Sequence, residues 1–516
     1  MQYLYPLLIY AGLAGTLVLL TLEMVSRAQR WRRPAAALWL TLVTLLWMAL
    51  PTEGRWIFSM WAPSTVLDGQ FIVEMQPAIW WLGLALGLAF SGVAWVEVID
   101  RRPALPLSGV LVLLSLYTTW LALAGGSLLT TLAMWAVFDL LWGAATLLAS
   151  GEGERVTFGW LFHGVASILL WATFLLLRRA GSSGLWWIMW TTPATTALLL
   201  VAALLRIGVY PFHVVFPRRI ERLGSLVLVS SMGPVLGVGL LYRILTLPGE
   251  VELPLWVLVL GAVSLLWGGV RAWGERGEKA LLWAIYALLS SIVAGAGATG
   301  AGDLVLGALG VWFGGWTLLL LSRGRDREAV ALSWPGWLAL LLLVGVPPSP
   351  LGELGRAALT LLPWGWRIVF LLGWAIVVAT LLKEGTRPAL GRTLPPRSWQ
   401  QATLLAGLIL PVLGMLSGAS VPQRFNFNGL GLLLWGGAVL LGAGLAWKGL
   451  RVRRWVMHGV ALWDSLDLQW FYRALWRGSE HLLGLVRVAA DVVEGSGALL
   501  WSLLVLLIIL LVTVNR

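Results

Sequence analysis

The first of two interrupted apolar segments reads Leu204-Leu205-Arg206-Ile207-Gly208-Val209-Tyr210-Pro211-Phe212-His213. The second reads Gly345-Val346-Pro347-Pro348-Ser349-Pro350-Leu351-Gly352-Glu353-Leu354-Gly355-Arg356. Proline removes a backbone donor and clashes with the preceding helical turn. Non-helical backbone at membrane depth is tolerated only inside protein or beside a wet cavity. We therefore predict helix breaks at Pro211 and at Pro347 and Pro348. The alternative is that these prolines end two helices in loops.

The composition excludes a water-soluble globule. The chain has 516 residues, of which 59% are hydrophobic and 12% charged, and its mean hydropathy is +0.86. Soluble domains average about 25% charged residues. The sequence contains no cysteine, so the chain alone cannot build a thiolate metal site, an iron–sulfur cluster or a cysteine nucleophile.

Sixteen apolar runs come close to the length of a membrane span, since a bilayer core needs about 17–25 residues per helix. Strands of a membrane barrel would alternate lipid-facing and lumen-facing residues, whereas these runs are apolar throughout. We therefore predict an all-α polytopic membrane protein with about 14–16 transmembrane helices. The runs are 3–25, 34–50, 76–98, 104–124, 127–149, 157–177, 185–205, 224–246, 253–270, 280–300, 303–321, 330–346, 361–382, 402–420, 428–447 and 498–514.

Basic residues lie in the short gaps between these runs, mainly on one side. The loop after the first run and every second loop from there include at least 24 lysines and arginines. The opposite loops hold five, which are Arg55, Arg178, Arg179, Arg356 and Arg424. Cytoplasmic loops carry an excess of Lys and Arg. We therefore predict a multi-pass protein of the cell inner (plasma) membrane with its N-terminus outside. The net charge of +12 then reflects orientation in the lipid bilayer, and we predict no nucleic-acid partner.

Tryptophan is abundant, with 35 residues in the chain. Indole rings are enriched at membrane–water interfaces. We therefore expect the tryptophans to anchor span ends and to face lipid. Trp186, Trp187, Trp190, Trp364 and Trp366 lie near predicted span ends.

The two interrupted segments lie in spans seven and twelve. Because they are five spans apart, they cross the membrane in opposite directions. A repeated unit followed by its inverted copy is typical of transporters, whose broken helices mark the ion site. We predict N-terminal helices over 1–103, a first five-helix repeat over 104–250 and an inverted second repeat over 251–400. Further C-terminal helices are predicted over 401–450.

Few ionisable side chains lie inside the spans. The clearest are Asp139, Arg206 and His163, with Glu353 and Arg356 beside the second break. A charge at the bilayer centre costs about 2.5–3.5 kcal/mol on insertion scales, so it normally faces a partner. We expect Asp139 to pair with Arg206, either as a static ion pair or as part of an ion pathway. His163 is either a satisfied core or near-interface histidine or a member of that pathway.

Five stretches resemble the antiporter-like subunits of the complex I superfamily, which includes NADH:quinone oxidoreductase, the Mrp antiporters and the membrane-bound hydrogenases. Asp139 takes the place of the family's glutamate in span five. The segment from Arg206 is similar to the family's Lys-x-Gly-x-x-Pro-x-His-x-x-x-Pro, with Arg206 at the lysine and His213 at the histidine. The stretches are Phe71 to Glu74 opening span three, Trp135 to Trp142, Arg206 to Pro217, Gly269 to Leu282 and Gly345 to Pro348.

The resemblance implies a row of buried charges that carries protons from span five through spans seven, eight and ten to span twelve. This sequence departs from that pattern, because Arg206 keeps its proton under any accessible condition and spans eight and ten contain no lysine or histidine. Tyr286 and the serines of span ten are the groups that could support a water wire. Arg356 or Glu353 could stand in for the terminal charge. We expect a conserved fold in which proton translocation by this chain is weakened or lost.

The C-terminal region differs in composition. Over 451–497, apolar residues recur with helical spacing beside a polar stripe, which predicts an amphipathic lateral helix at the membrane surface. A terminal anchor helix is predicted over 498–516. The resemblance implies that the lateral helix is a strut against neighbouring subunits, and the alternative is a generic surface helix.

We recognise no Walker loop, zincin motif or dinucleotide fingerprint in the sequence. We predict no catalytic residue, cofactor or metal in this chain, so any redox catalysis would belong to another chain. Three functions remain. The first is an antiporter-like subunit of a respiratory or hydrogenase-type complex, which takes part in proton or cation translocation beside other membrane subunits. The second is the membrane subunit of an inorganic-carbon uptake system, and the third is a scaffold that transports nothing.

Overall fold

The structure is a computed structural model, and its described part covers most of the chain. The chain divides into two compact units, 1–453 and 454–516, and the functional groups discussed below lie in the first. The described residues are 4–61, 69–99, 105–150, 153–213, 225–249, 251–322, 330–347, 349–385, 398–420, 429–466, 474, 477–478 and 484.

Sixteen α-helices and one β-hairpin make up the described ranges. Eleven helices are long and apolar enough to cross a membrane, so the chain is a multi-pass, all-α membrane protein as predicted. A 3-10 helix, Ser26–Trp31, joins the first two helices. The α-helices are α1 (Leu4–Met24), α2 (Arg32–Met48), α3 (Pro77–Ile99), α4 (Ser108–Leu123), α5 (Leu128–Ser150), α6 (Gly153–Arg179), α7 (Pro193–Ile207), α8 (Ser225–Leu245), α9 (Leu255–Gly274), α10 (Glu278–Thr299), α11 (Gly302–Ser322), α12 (Val330–Val344), α13 (Pro350–Leu361), α14 (Trp364–Gly385), α15 (Ser398–Ala419) and α16 (Gly429–Leu466).

Fifteen of the sixteen apolar runs coincide with a helix, because each run can satisfy its backbone internally only as a helix in lipid. The centre of the bundle is α8, whose residues from Ser225 to Ile244 are all buried. The sixteenth run, 498–514, lies outside the described residues. Most of the predicted lateral helix over 451–497 also lies outside them.

The helix that contains the apolar run 428–447 extends beyond that run. Instead of ending near residue 447, α16 continues without interruption from Gly429 to Leu466. No proline interrupts that stretch, and a helix continues where nothing in the sequence breaks it.

The start of span seven also differs from the apolar run, which begins at residue 185. Helix α7 begins at Pro193, and the residues before it form turns. Thr192 caps the helix, because its side chain accepts a hydrogen bond from the Thr195 amide while the Thr195 hydroxyl bonds the Thr192 amide in return. A reciprocal capping box with proline at the first helical position fixes the start of a helix.

The residues expected to open span three form a strand instead. Strand β1 (Gly54–Trp61) pairs antiparallel with β2 (Gly69–Met75), and Glu74 lies in β2, with α3 starting only at Pro77. Phe71 to Val73 are apolar or β-branched residues that suit a strand. The acidic residue expected at the start of a helix is therefore held by a hairpin.

The hairpin is tied to two loops at the same end of the bundle. The amide of Glu74 donates to the carbonyl of Ala124, and the amide of Gly126 donates to the carbonyl of Ile72. The Trp186 amide in turn donates to the carbonyl of Gly126. We call this set of segments, 54–61, 69–75, 124–127 and 184–186, the hairpin face.

The expectation that tryptophans line the interfaces is wrong for part of the set. Trp364 and Trp190 are exposed, as anchoring requires, but Trp186 is buried. Large indole rings therefore also fill the interior between helices. Seven fully buried examples are Trp47, Trp120, Trp135, Trp142, Trp312, Trp316 and Trp374.

Candidate functional site

The structure brings Asp139 on α5 and Arg206 on α7 into a two-point ion pair. Arg206 Nη2 lies 2.5 Å from Asp139 Oδ1, and Arg206 Nη1 donates to Asp139 Oδ2 at 3.2 Å. The arginine side chain is fully buried, whereas 15% of the aspartate side chain is exposed. Two parallel N–H···O bonds are the geometry for which the guanidinium fork is suited. The expected pairing of the two charges is therefore present in the fold.

Two aromatic rings of α5 pack against the guanidinium of Arg206. The centre of the Arg206 guanidinium lies 4.1 Å from the ring centroid of Trp135 and 5.5 Å from that of Phe138. Trp135 and Asp139 are four residues apart, so one face of α5 presents both the ring and the carboxylate. A cation over an indole face is attracted by the ring quadrupole, and more strongly away from water.

His163 on α6 completes the site from a third helix. Its Nδ1 lies 3.2 Å from Asp139 Oδ1, and its side chain is fully buried. The imidazole packs against the Trp142 ring, with 4.6 Å between centroids. On the opposite side lies Gly233 of α8, where even a Cβ would stand 3.1 Å from the Cε1 and Nε2 atoms of the histidine. We call Asp139, Arg206 and His163 the central triad.

Two further side chains of α6 reach the aspartate. The Ser167 hydroxyl donates to Asp139 Oδ2 at 3.4 Å, and the Trp160 indole donates to the Asp139 backbone carbonyl at 2.7 Å. The carboxylate is therefore contacted from α6 and α7. Of the three side chains in the central triad, that of Asp139 alone is partly exposed.

The break in α7 follows the arginine by two residues. Gly208 adopts the left-handed conformation with φ of +77°, and Val209 donates to the carbonyl of Leu204, which is a Schellman ending. Tyr286 on α10 donates its hydroxyl hydrogen to the Gly208 carbonyl at 2.7 Å. The Tyr210 amide donates to the Ser264 hydroxyl of α9 at 3.0 Å. Residues of α9 and α10 thus bond the backbone groups that the break leaves open.

His213 lies beyond the break, buried among aromatic rings. Its imidazole is parallel to the Tyr210 ring at 5.9 Å, and the Trp283 and Tyr286 centroids lie at 5.5 and 6.4 Å. Pro211 follows Tyr210 through a cis peptide bond. Two of the expected pathway residues, His213 and Tyr286, are therefore neighbours.

The second break separates α12 from α13 in the same manner as the first. Gly345 has φ of +84°, and Val346 donates to the carbonyl of Leu341. Ser349 lies between the two helices, and its hydroxyl donates a hydrogen bond to the Leu342 carbonyl of α12 at 3.0 Å. Pro347 lies in the turn between the helices, and Pro348 lies outside the described residues.

Glu353 and Arg356 follow on the first turns of α13 and pair with each other. Arg356 is buried, and its guanidinium lies 5.8 Å from the ring of Trp435 on α16. Arg356 and Glu353, the two candidates for the last charge of the expected row, are therefore each other's ion-pair partners, one helical turn apart. An internal pair of this kind is neutral in sum.

A buried ion pair at the hairpin face was missed by sequence reasoning. Arg243 near the end of α8 binds Glu74 Oε2 at 2.9 Å, and Arg55 binds Glu74 Oε1 at 2.9 Å. The Arg243 and Glu74 side chains are buried, and that of Arg55 is half exposed and lies 3.9 Å over the Trp187 ring. The available signal was a single arginine inside the eighth apolar run.

No cluster of three or more His, Asp or Glu side chains that could hold a metal occurs among the residues that the structure describes. The central triad contains one carboxylate, that of Asp139, and two side chains that can carry a positive charge, those of Arg206 and His163. Such a set can hold and exchange charge or protons, and it contains no nucleophile and base in the arrangement of a hydrolase.

The fold matches chains of three solved membrane complexes. A chain of the Mrp complex from Dietzia sp. DQ12-45-1b is 16% identical with a TM-score of 0.73, and the match covers 99% of this chain and 63% of that one. A chain of the archaeal membrane-bound sulfane sulfur reductase is 16% identical with a TM-score of 0.67, covering 98% and 99%. A chain of respiratory complex I from Thermus thermophilus with bound NADH is 17% identical with a TM-score of 0.62, covering 84% and 99%.

This chain shares its fold with these chains of membrane complexes. The resemblance seen in the sequence motifs is therefore confirmed at the level of the fold. The chain spans less than two thirds of the Mrp chain that it matches. No protein-family model matches the sequence, and no curated protein matches it.

Proposed function

We propose that this chain is an antiporter-like membrane subunit of a multisubunit complex of the complex I, Mrp or hydrogenase type, taking part in proton or cation translocation. The observation that carries the proposal is the fold that this chain shares with chains of three membrane complexes. The matched chains belong to a "Mrp complex", a "respiratory membrane complex" and "respiratory complex I". We further propose that the complex lies in the inner (plasma) membrane, with the N-terminus of this chain outside.

The chain's own proton channel is weakened in this proposal, because its fixed charges are arginines. Arg206 and Arg356 are the buried cations beside the two breaks, and a guanidinium does not release its proton. The Tyr286 hydroxyl, bonded to the Gly208 carbonyl, and the serines of α10 are neutral. The arginines can steer charge electrostatically, but a proton relay through them is closed.

The first experiment measures transport by the reconstituted complex. Asp139→Asn and Arg206→Met remove one partner each from the ion pair, and Asp303→Asn at the exposed start of α11 is the matched control. With assembly confirmed, we expect coupled transport to change little in all three variants. A large loss confined to Asp139→Asn and Arg206→Met, in a normally assembled complex, would show that the channel is intact and contradict the weakening.

The second experiment identifies the companions of the chain. We expect the natively purified complex to contain other membrane subunits of the antiporter-like kind. Co-purification with redox subunits or further antiporter-like chains supports the proposal. Co-purification with one large soluble zinc protein supports an inorganic-carbon uptake system instead, and wild-type transport of zero in the complete complex supports a scaffold.

A further inference from the structure

Two groups that can carry positive charge contact the same oxygen of Asp139. Arg206 Nη2 lies 2.5 Å from Oδ1, and His163 Nδ1 lies 3.2 Å from it. We propose that Asp139 exchanges one cation for the other: when Arg206 moves away from the carboxylate, His163 takes up a proton and replaces it. The proposal deepens the proposed function and rests on it, since it names the group that binds the proton in the central triad.

The carboxylate carries one negative charge, so one cation is enough to neutralise it. A carboxylate without a counter-charge at membrane depth is costly, so Asp139 gains from a protonated His163 when Arg206 leaves it. Arg206 always carries its charge, so a protonated His163 beside an engaged Arg206 would leave a net positive charge among buried side chains. The imidazole is therefore neutral in the arrangement described, and it becomes charged only when the guanidinium has left.

The surroundings of His163 fit this exchange. The charged groups that face it are Asp139 from α5 and Arg206 from α7, whereas α8 presents Gly233. Because Gly233 has no side chain, the imidazole edge fits between α5 and α8 while Nδ1 stays at the carboxylate. The Trp142 ring fixes the plane of the imidazole from its other side. A histidine held in this way is in contact with the carboxylate before the arginine departs.

Arg206 lies close to the break in its own helix. It lies in the last turn of α7, and the helix ends at Gly208 instead of continuing through the following residues. The carbonyl of Gly208 is held by the Tyr286 hydroxyl of α10. Movement of that tyrosine therefore acts on the turn that carries the guanidinium.

The exchange is balanced as a protonation. One proton from water binds one ring nitrogen of His163, and the same proton returns to water when Arg206 rebinds. The Ser167 hydroxyl contacts the other oxygen of the same carboxylate at 3.4 Å. The central triad thus binds a proton without requiring the arginine to release one.

The test is solid-state NMR of the full chain in lipid, labelled with 15N-histidine. The chain has four histidines, and His163→Gln assigns the signal of interest by difference. We expect a neutral imidazole at pH 7 in the unmodified chain. In Arg206→Met we expect the imidazolium-to-imidazole ratio of His163 to rise at least about tenfold, which corresponds to about 1.4 kcal/mol. The double variant Asp139→Asn with Arg206→Met should return it to the neutral form.

A neutral His163 in folded Arg206→Met overturns the exchange, and so does an imidazolium that persists in the double variant. If Arg206→Met does not fold, acid titration of the unmodified chain labelled on arginine and histidine decides. His163 must then gain its proton together with a change in the Arg206 guanidinium signals, and protonation with unchanged guanidinium signals overturns the proposal. These readouts need no transport, so they fail independently of the proposed function.

Discussion

Removing the Glu74 carboxylate should destabilise the protein more than removing its exposed partner. Glu74 accepts bonds from Arg243 and Arg55, both at 2.9 Å, and only the Arg243 side chain is buried with it. In Glu74→Gln the Arg243 guanidinium stays buried without a counter-charge, with its bond to the Leu123 carbonyl at 3.2 Å still in place.

The expected magnitude follows from that difference in burial. Breaking a buried ion pair by removing one partner costs about 3–5 kcal/mol, because the other charge stays buried and uncompensated. Arg55→Gln removes a half-exposed pair worth about 0–1 kcal/mol and a contact over Trp187 worth about 0.5–1 kcal/mol. Glu74→Gln should therefore lower the free energy of unfolding by at least about 3 kcal/mol, and Arg55→Gln by no more than about 2 kcal/mol.

The assay is reversible unfolding in mixed detergent micelles, followed by tryptophan fluorescence. Adding Arg243→Met to Glu74→Gln should recover much of the loss, since a neutral chain of similar volume needs no counter-charge. Equal losses in Glu74→Gln and Arg55→Gln, or no recovery in the double variant, would refute the view that burial of Arg243 sets the cost.

Two further substitutions test the helix breaks by the same unfolding measurement. Tyr286→Phe removes the hydroxyl bonded to the Gly208 carbonyl and should cost about 1–3 kcal/mol, because that carbonyl is left without its donor. Gly352→Ala would place a Cβ 2.0 Å from the Gly345 backbone oxygen, so the two halves of the broken helix must separate. Its loss should reach or exceed the upper end of the usual overpacking cost of about 1–3 kcal/mol, whereas Gly365→Ala, which meets open space, should cost far less. An unchanged stability in either test variant would contradict the corresponding contact.

The spans and their interruptions could be predicted from the sequence because each depends on local chemistry. A continuous apolar run in lipid has to satisfy its own backbone, and it therefore forms a helix. Gly208 and Gly345 favour the left-handed ending, and Pro211 and Pro347 follow at the distance where the helix cannot continue. The pairing of Asp139 with a distant cation also follows from the cost of an isolated charge in the membrane.

What the sequence could not supply depends on contacts between segments far apart in the chain. Glu74 precedes an apolar run and so resembles the start of a helix, but hydrogen bonds to Ala124 and Arg243 hold it in a hairpin strand. His163 has no local feature that distinguishes a core histidine from a site residue. Its place beside Asp139 requires the glycine at position 233 of another helix, which only the packed bundle reveals.

The two breaks share a local geometry but differ in what holds them, and that difference bears on how the halves of the molecule are coupled. Both end in a left-handed glycine followed by valine, as expected of repeated units. The gap after α12 is bridged from within its own segment by Ser349. The gap after α7 is bridged by Tyr286 of α10 and by Ser264 of α9, which belong to the second predicted repeat. A shift of α9 or α10 is therefore transmitted to the end of α7 that carries the guanidinium. The Ser349 bond that spans the gap after α12 makes no such link to the first predicted repeat.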